Sequence, residues 1–130
     1  MNSLAFDRGL HYGDGLFETL RVADGVAPLW DWHRERLLAG CARLGLPAPD
    51  DARLRRAVRS LSRLHRDSVV KLRWTAGGGQ RGYARPSELA PRLLASARPW
   101  QPLPAAALSL RWCATRLALQ PAELAALREK

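Results

Sequence analysis

Apolar and polar positions along this chain change period several times, and each change marks an element. Residues 16–22, LFETLRV, alternate and contain β-formers, which predicts a strand. Asp24-Gly25 supplies a turn, and Val26 to Trp30 is expected to return antiparallel as a hairpin partner. Trp30, His33, Leu37, Cys41 and Leu44 then recur at helical spacing, with Asp31 as the expected N-cap and Gly45 and Pro47 as the stop. A second helix follows Asp50, which can cap it, and carries Leu54, Val58, Leu61 and Leu64 as its apolar stripe. Residues 68–75, SVVKLRWT, return to period two, with Val69, Lys71 and Arg73 on one face and Val70, Leu72 and Trp74 on the other. A glycine-rich loop follows, then an expected strand from Pro91 to Ala97.

This order, strands flanking a pair of helices, predicts an α+β layer of two helices packed on an antiparallel sheet. The proline- and alanine-rich stretch 99–107 reads as a linker. It divides a small domain, 1–98, from residues 108–130, where LSLRWCATRLA predicts a new strand and PAELAALREK has helix-forming composition.

Composition narrows the function less than it narrows the fold. At 130 residues the chain holds one domain with a core. No apolar run approaches the roughly 18 residues of a membrane span, and the N-terminal stretch does not resemble a signal peptide, so a cytoplasmic protein is expected. Cys41 and Cys113 make neither a disulfide framework nor a metal cluster and are expected to be buried and free. The net charge of +9 raises the question of nucleic acid. Arginines 53, 56, 59, 63 and 66 fall largely off the second helix's stripe, but no aromatic residues interleave with them, so a solvated face is the expectation and no nucleic-acid partner. All the basic residues except Lys71 and Lys130 are arginine, whose planar fork suits carboxylates and phosphates. This favours anionic ligands in general and names none.

Three stretches carry candidate chemistry. In Asp7-Arg8-Gly9 followed by YGDGLFETLRV, two glycines flank Asp14 before a strand, where backbone can approach a ligand or simply turn. In His33-Arg34-Glu35-Arg36-Leu37, His33 reads as a packed, hydrogen-bonded core histidine. Arg36, at the border of the stripe, is either a phosphate clamp or a surface arginine with a packed stem. The third stretch, Thr75 to Tyr83, matches no nucleotide-binding loop; it is an anion-binding lip or a plain hairpin loop.

Taken in order and at these separations, DRGLHYGDGLFETLRV, H-x-x-R-L and T-x-G-x-G-x-R-G-Y resemble the class IV aminotransferases, the fold-type IV pyridoxal-phosphate enzymes. Within them the pattern, together with LRWCATRLALQPA, is most similar to the aminodeoxychorismate lyases. The resemblance covers about Asp7 to Leu127 and implies a small domain followed by the first strand of a larger one. It implies pyridoxal 5'-phosphate as cofactor, a homodimer, and conversion of 4-amino-4-deoxychorismate to 4-aminobenzoate and pyruvate in folate synthesis. By the same resemblance, Arg36 binds the cofactor phosphate, Arg81 meets the substrate's carboxylates, Lys71 contacts substrate, and Tyr12 lines the entrance. The position that aligns with the family's Schiff-base lysine is Arg128, a guanidinium that cannot form an imine; Lys130, two residues on, is the alternative candidate. On this reading the chain ends where the catalytic lysine is expected and is inactive by itself. A branched-chain or D-amino-acid aminotransferase, and a non-catalytic basic binding domain, are the alternatives.

Overall fold

The computed structural model describes residues 4–79, 82–103 and 107–116. Strand β1 (Gly15–Val22) and strand β2 (Ser68–Thr75) pair antiparallel over their whole length, Gly15 opposite Thr75 and Val22 opposite Ser68. Strand β3 (Arg92–Pro99) adds to the other side of β2, with Lys71 opposite Ser96, giving a three-stranded sheet in the order β1-β2-β3.

One face of this sheet is covered and the other is open, as the alternation requires. Leu20 and Val22 of β1 and Val70, Leu72 and Trp74 of β2 are buried beneath two helices, α2 (Trp30–Leu44) and α3 (Asp51–Ser62). Helix α2 lies on β1, and α3 spans β2 and β3. Trp30, Leu37 and Cys41 from α2 and Leu54 and Val58 from α3 complete the core. Trp74 buries its ring there and donates its indole N–H to the Pro47 carbonyl at 2.8 Å, so this core aromatic carries no unpaired donor. The α+β architecture is the expected one.

Several expectations about local structure need correction. The hairpin return from Val26 to Trp30 does not form. Asp24 and Gly25, at φ 49° and 80°, make the tight turn, but pairing stops at the single bridge between Ala23 and Val26. Pro28 has no N–H to donate, and α2 begins two residues later. Asp31 is not the cap of α2: Leu29 occupies that position without a side-chain bond, and Asp31 sits in the first turn, where its charge complements the helix dipole. Leu64 lies beyond the end of α3 and is exposed, so the stripe closes with Val58 and the partly buried Leu61. Cys41 is buried as expected, and burial raises its thiol pKa; Cys113 is exposed.

The strand expected at 108–118 is absent from its described part, 107–116. Leu110 and Trp112 there are 91% and 101% exposed, and no described segment runs beside them to satisfy a ladder. The expected helix at 121–130 lies outside the described residues.

The cap of α3 is as expected: the Asp50 carboxylate accepts from the backbone of Ala52 and of Arg53 at 3.3 and 2.9 Å. The arginine-rich side of α3 is a solvated face, partly neutralised by pairs such as Arg55 with Asp51, while Arg53 and Arg55 lie over the rings of Trp74 and Trp30.

Candidate active site

The first turn of the site forms from its own polar residues. Asp7 caps a short helix, α1 (Arg8–Tyr12), by accepting from the Gly9 N–H at 2.9 Å, and Gly13 ends it. This helix was not foreseen, although an Asp seven residues into the chain with glycine six positions later is a readable start and stop signal. The Asp7 carboxylate also accepts from the Thr75 hydroxyl at 3.0 Å, tying α1 to the end of β2.

Arg8 is only 2% exposed. Its Nε donates to Asp14 at 2.8 Å, and its terminal nitrogens donate to the carbonyls of Gly82, Tyr83 and Ala84 at 3.0–3.2 Å. Arg85 reaches back from the same loop to the other side of the Asp14 carboxylate, Nε to Oδ1 at 2.9 Å. Burial pushes the Asp14 carboxyl upward, but the hydrogen bonds from Arg85 and Arg8 outweigh it and hold the pKa below the ordinary value. Tyr12 accepts from the Gly82 N–H at 2.9 Å through its hydroxyl and meets Tyr83 edge-on. Thus the YGDG turn and the glycine-rich loop, separated widely in sequence, are one polar cluster. Glycine is required at Gly77, where φ is 81° and a Cβ would fall 1.8 Å from the Ala90 carbonyl oxygen.

The second part of the site depends on one misplaced charge. Glu18 shares the covered face of β1 with Leu20 and Val22, and it is 3% exposed. A carboxylate there demands partners. Helix α2 supplies two, one turn apart: His33 Nδ1 lies 2.7 Å from Glu18 Oε2, and Arg36 grips both oxygens, with Nε to Oε1 at 2.8 Å and a terminal nitrogen to Oε2. The hydrogen bond to Glu18 raises the Arg36 pKa, so the guanidinium stays charged. Arg36 is therefore not merely a surface arginine with a packed stem. His33 is hydrogen-bonded, as expected, and only partly exposed.

Arg36 and Glu18 line a cleft of about 320 Å³, together with Gly13, Gly15, Leu37 and Leu44. A second cleft, of about 590 Å³, lies against Asp7, Gly9, Phe17, Arg73 and Leu94. Both share Gly13, Gly15, Leu16 and Phe17, so the start of the edge strand β1 is their common wall. Lys71 stands elsewhere, on the open face of the sheet, with its ammonium 4.3 Å from the centre of the Phe17 ring. The fold therefore places Arg36 and Lys71 on opposite faces of the sheet. It brings Tyr12 to the glycine-rich loop. Arg81, Arg128 and Lys130 lie outside the described residues. Among the described residues no cluster of His, Cys, Asp and Glu could hold a metal ion.

The sequence profile of the amino-transferase class IV family matches residues 15–130, which includes every element from β1 onward. The chain belongs to the class IV aminotransferases. Among relatives of this class IV chain, the aminodeoxychorismate lyase of Vibrio harveyi is 30% identical over 122 residues, covering 88% of this chain and 44% of the relative. The bifunctional aminodeoxychorismate lyase/D-amino acid transaminase of Mycobacterium tuberculosis is 41% identical over 73 residues, covering 56% of this chain and 22% of its own length. The crystal structure of 4-amino-4-deoxychorismate lyase from Pseudomonas aeruginosa superposes with a TM-score of 0.67 at 45% identity, over 76% of this chain and 36% of that one. A hypothetical aminotransferase from Mycobacterium tuberculosis, solved in its pyridoxal-phosphate-bound form, superposes at 0.61 with 30% identity, over 73% of this chain and 33% of that one. The class IV chain thus spans less than half the length of the relatives it matches.

The candidate site missed three residues at the level of sequence. Glu18 was signalled by the alternation of its strand, because its parity with Leu20 and Val22 places it inside. Arg8 lies in the Asp7-Arg8-Gly9 stretch, but nothing local marks it as buried. Arg85 follows the glycine-rich loop, and only the fold brings it to Asp14.

Proposed function

We propose that this chain contributes the small-domain part of a pyridoxal-phosphate-dependent aminodeoxychorismate lyase, acting in the cytoplasm as a homodimer, which releases 4-aminobenzoate and pyruvate from 4-amino-4-deoxychorismate. The observation that carries the reading is Arg36, charged, part-exposed, and fixed in orientation by the Glu18 carboxylate at the wall of a cleft.

The residues present fit a phosphate-bearing cofactor. A guanidinium already held in plane by one carboxylate presents a fixed orientation to a second anion, with little side-chain freedom left to lose on binding. Gly13 and Gly15 line the same cleft and add no side chain beside the guanidinium. When bound, pyridoxal phosphate supplies the electron sink for carbon-bond cleavage. This chain's part is to bind and orient. Arg36 holds the phosphate, Glu18 holds Arg36 and is itself bonded by His33, and Leu37 and Leu44 line the apolar side of the cleft. Tyr12 lines the entrance, anchored to Gly82; the role of binding the substrate carboxylates goes to Arg81, next to Gly82 in sequence, and Lys71 adds a substrate contact from the sheet. Lys130 is the candidate for the imine-forming lysine, since Arg128 cannot take that role.

The test is an assay with 4-amino-4-deoxychorismate of the complete enzyme to which this chain contributes its small domain, expecting 4-aminobenzoate release without any keto acid. A second reading, transamination of D-amino acids, is favoured by the name of the bifunctional M. tuberculosis relative. Robust keto-acid-dependent amino transfer with no 4-aminobenzoate would overturn the lyase reading in its favour.

A further inference from the structure

Arg8 touches the glycine-rich loop at both of its limbs. Its backbone N–H donates to the Gly77 carbonyl at 2.8 Å, beside the bridge between Asp7 and Gly78. Its stem runs under Gly79, where an added Cβ would stand 3.0 Å from the Arg8 Cδ. Its guanidinium then crosses to the other limb and donates to the carbonyls of Gly82, Tyr83 and Ala84. The same guanidinium lies 4.7 Å from the centre of the Tyr12 ring, whose hydroxyl accepts from the Gly82 N–H.

Charge makes this clasp hard to open. Asp14 is one carboxylate shared by two arginines, Arg8 and Arg85, so the loop carbonyls are the acceptors that complete the surroundings of the buried Arg8 guanidinium. If residues 82–84 moved away, that cation would lose three acceptors at once, and a buried charge without partners is costly. Arg85 adds a second tie. It donates to Asp14 and to the carbonyl of Leu44, which lines the Arg36 cleft. The far limb of the loop is therefore joined to the cleft wall as well as to the YGDG turn.

We propose that Arg8 is a positioning residue for substrate binding, holding both limbs of the glycine-rich loop in place before substrate arrives. A loop ordered only at the moment of binding would set its lost backbone freedom against the binding energy. The task needs a planar fork: lysine could keep the charge beside Asp14 but has no rigid set of donors for three successive carbonyls. The inference rests on the reading of this loop as the element that meets the substrate; the clasp itself needs neither substrate nor cofactor.

Amide hydrogen exchange of the full chain reads the clasp, and steady-state kinetics of the complete enzyme to which the chain contributes reads the role. In Arg8→Lys the amides of residues 82–85 are expected to exchange at least tenfold faster relative to those of β1 and β2. The KM for 4-amino-4-deoxychorismate is expected to rise at least fivefold with kcat within twofold of the parent. Arg85→Gln, at a part-exposed position, is expected to move both readings in the same direction, and it serves as the test if Arg8→Lys does not fold. Unchanged exchange at 82–85, or faster exchange spread equally over the strands, overturns the clasp. An unchanged KM in a variant with a loosened loop overturns the positioning role. If the parent transaminates D-amino acids and releases no 4-aminobenzoate, the lyase reading alone falls, and the same rise in KM is expected for the amino donor.

Discussion

Glu18 grips Arg36 through both of its carboxylate oxygens, across the interface between an edge strand and the helix that covers it. The pair couples fold and site: the carboxylate is buried only because the arginine answers it, and the arginine is held in plane only because the carboxylate cannot move. Removing the arginine alone strands a buried charge, whereas removing both leaves a hydrophobic face that can repack. Arg36→Leu is therefore expected to destabilise by about 2 kcal/mol. The double variant Glu18→Leu/Arg36→Leu is expected to be more stable than that single variant. Urea denaturation of the four proteins of the cycle measures this; a double variant weaker than Arg36→Leu would contradict it.

Asp14 gives the protein a defined acid limb. Its pKa is lowered in the folded state, so its contribution to stability is complete above the ordinary carboxylate value of about 4 and is lost as pH falls through the lowered value. Asp14→Asn removes the charge that Arg8 and Arg85 share, and is expected to lower stability at pH 7 while flattening its decline below pH of about 4. Thermal melts between neutral and acid pH check the sign. A variant whose acid limb parallels the parent's would show that Asp14 is not the group responsible.

Gly77→Ala is expected to be among the most damaging single-methyl changes in the chain. The residue sits at φ 81°, and the new Cβ would overlap the Ala90 carbonyl oxygen, which is backbone and cannot rotate away. A loss of about 2 kcal/mol or more is expected, read as a drop in melting temperature. By contrast Gly25→Ala meets no atom within 4 Å and carries only the cost of its turn conformation.

Asp50→Ala removes both acceptors at the start of α3 and is expected to cost about 1 kcal/mol, measured by chemical denaturation. Asp31→Ala, once expected to be the equivalent change for α2, is expected to cost clearly less, since Asp31 caps nothing.

What could be read from the sequence follows from the range of each interaction. The strand 68–75 and the cap at Asp50 are local: period two and an Asp before a helical run settle them. The failed hairpin after Asp24-Gly25 shows the limit, because the turn residues were right but Pro28 withheld the donor that a second strand needs. Arg36 was found through its motif; its partner Glu18 could have been found from parity alone, as the one acid among Leu20 and Val22. Arg8 and Arg85 could not, because pairing them takes the Asp14 carboxylate, and burying Arg8 takes three loop carbonyls besides, which only tertiary structure collects. The strand expected near Leu110 failed for the complementary reason: alternation alone forms no ladder without a neighbour.

The claim that Arg36 is a phosphate anchor is tested most directly by comparing pyridoxal phosphate with pyridoxal, which lacks the phosphate, as ligands of the parent and of Glu18→Gln/Arg36→Gln, a pair of changes that leaves no stranded charge. By equilibrium dialysis the double variant is expected to bind pyridoxal phosphate at least tenfold more weakly than the parent while binding pyridoxal equally well. Equal affinity of both proteins for pyridoxal phosphate, or an equal loss for both ligands, would contradict it.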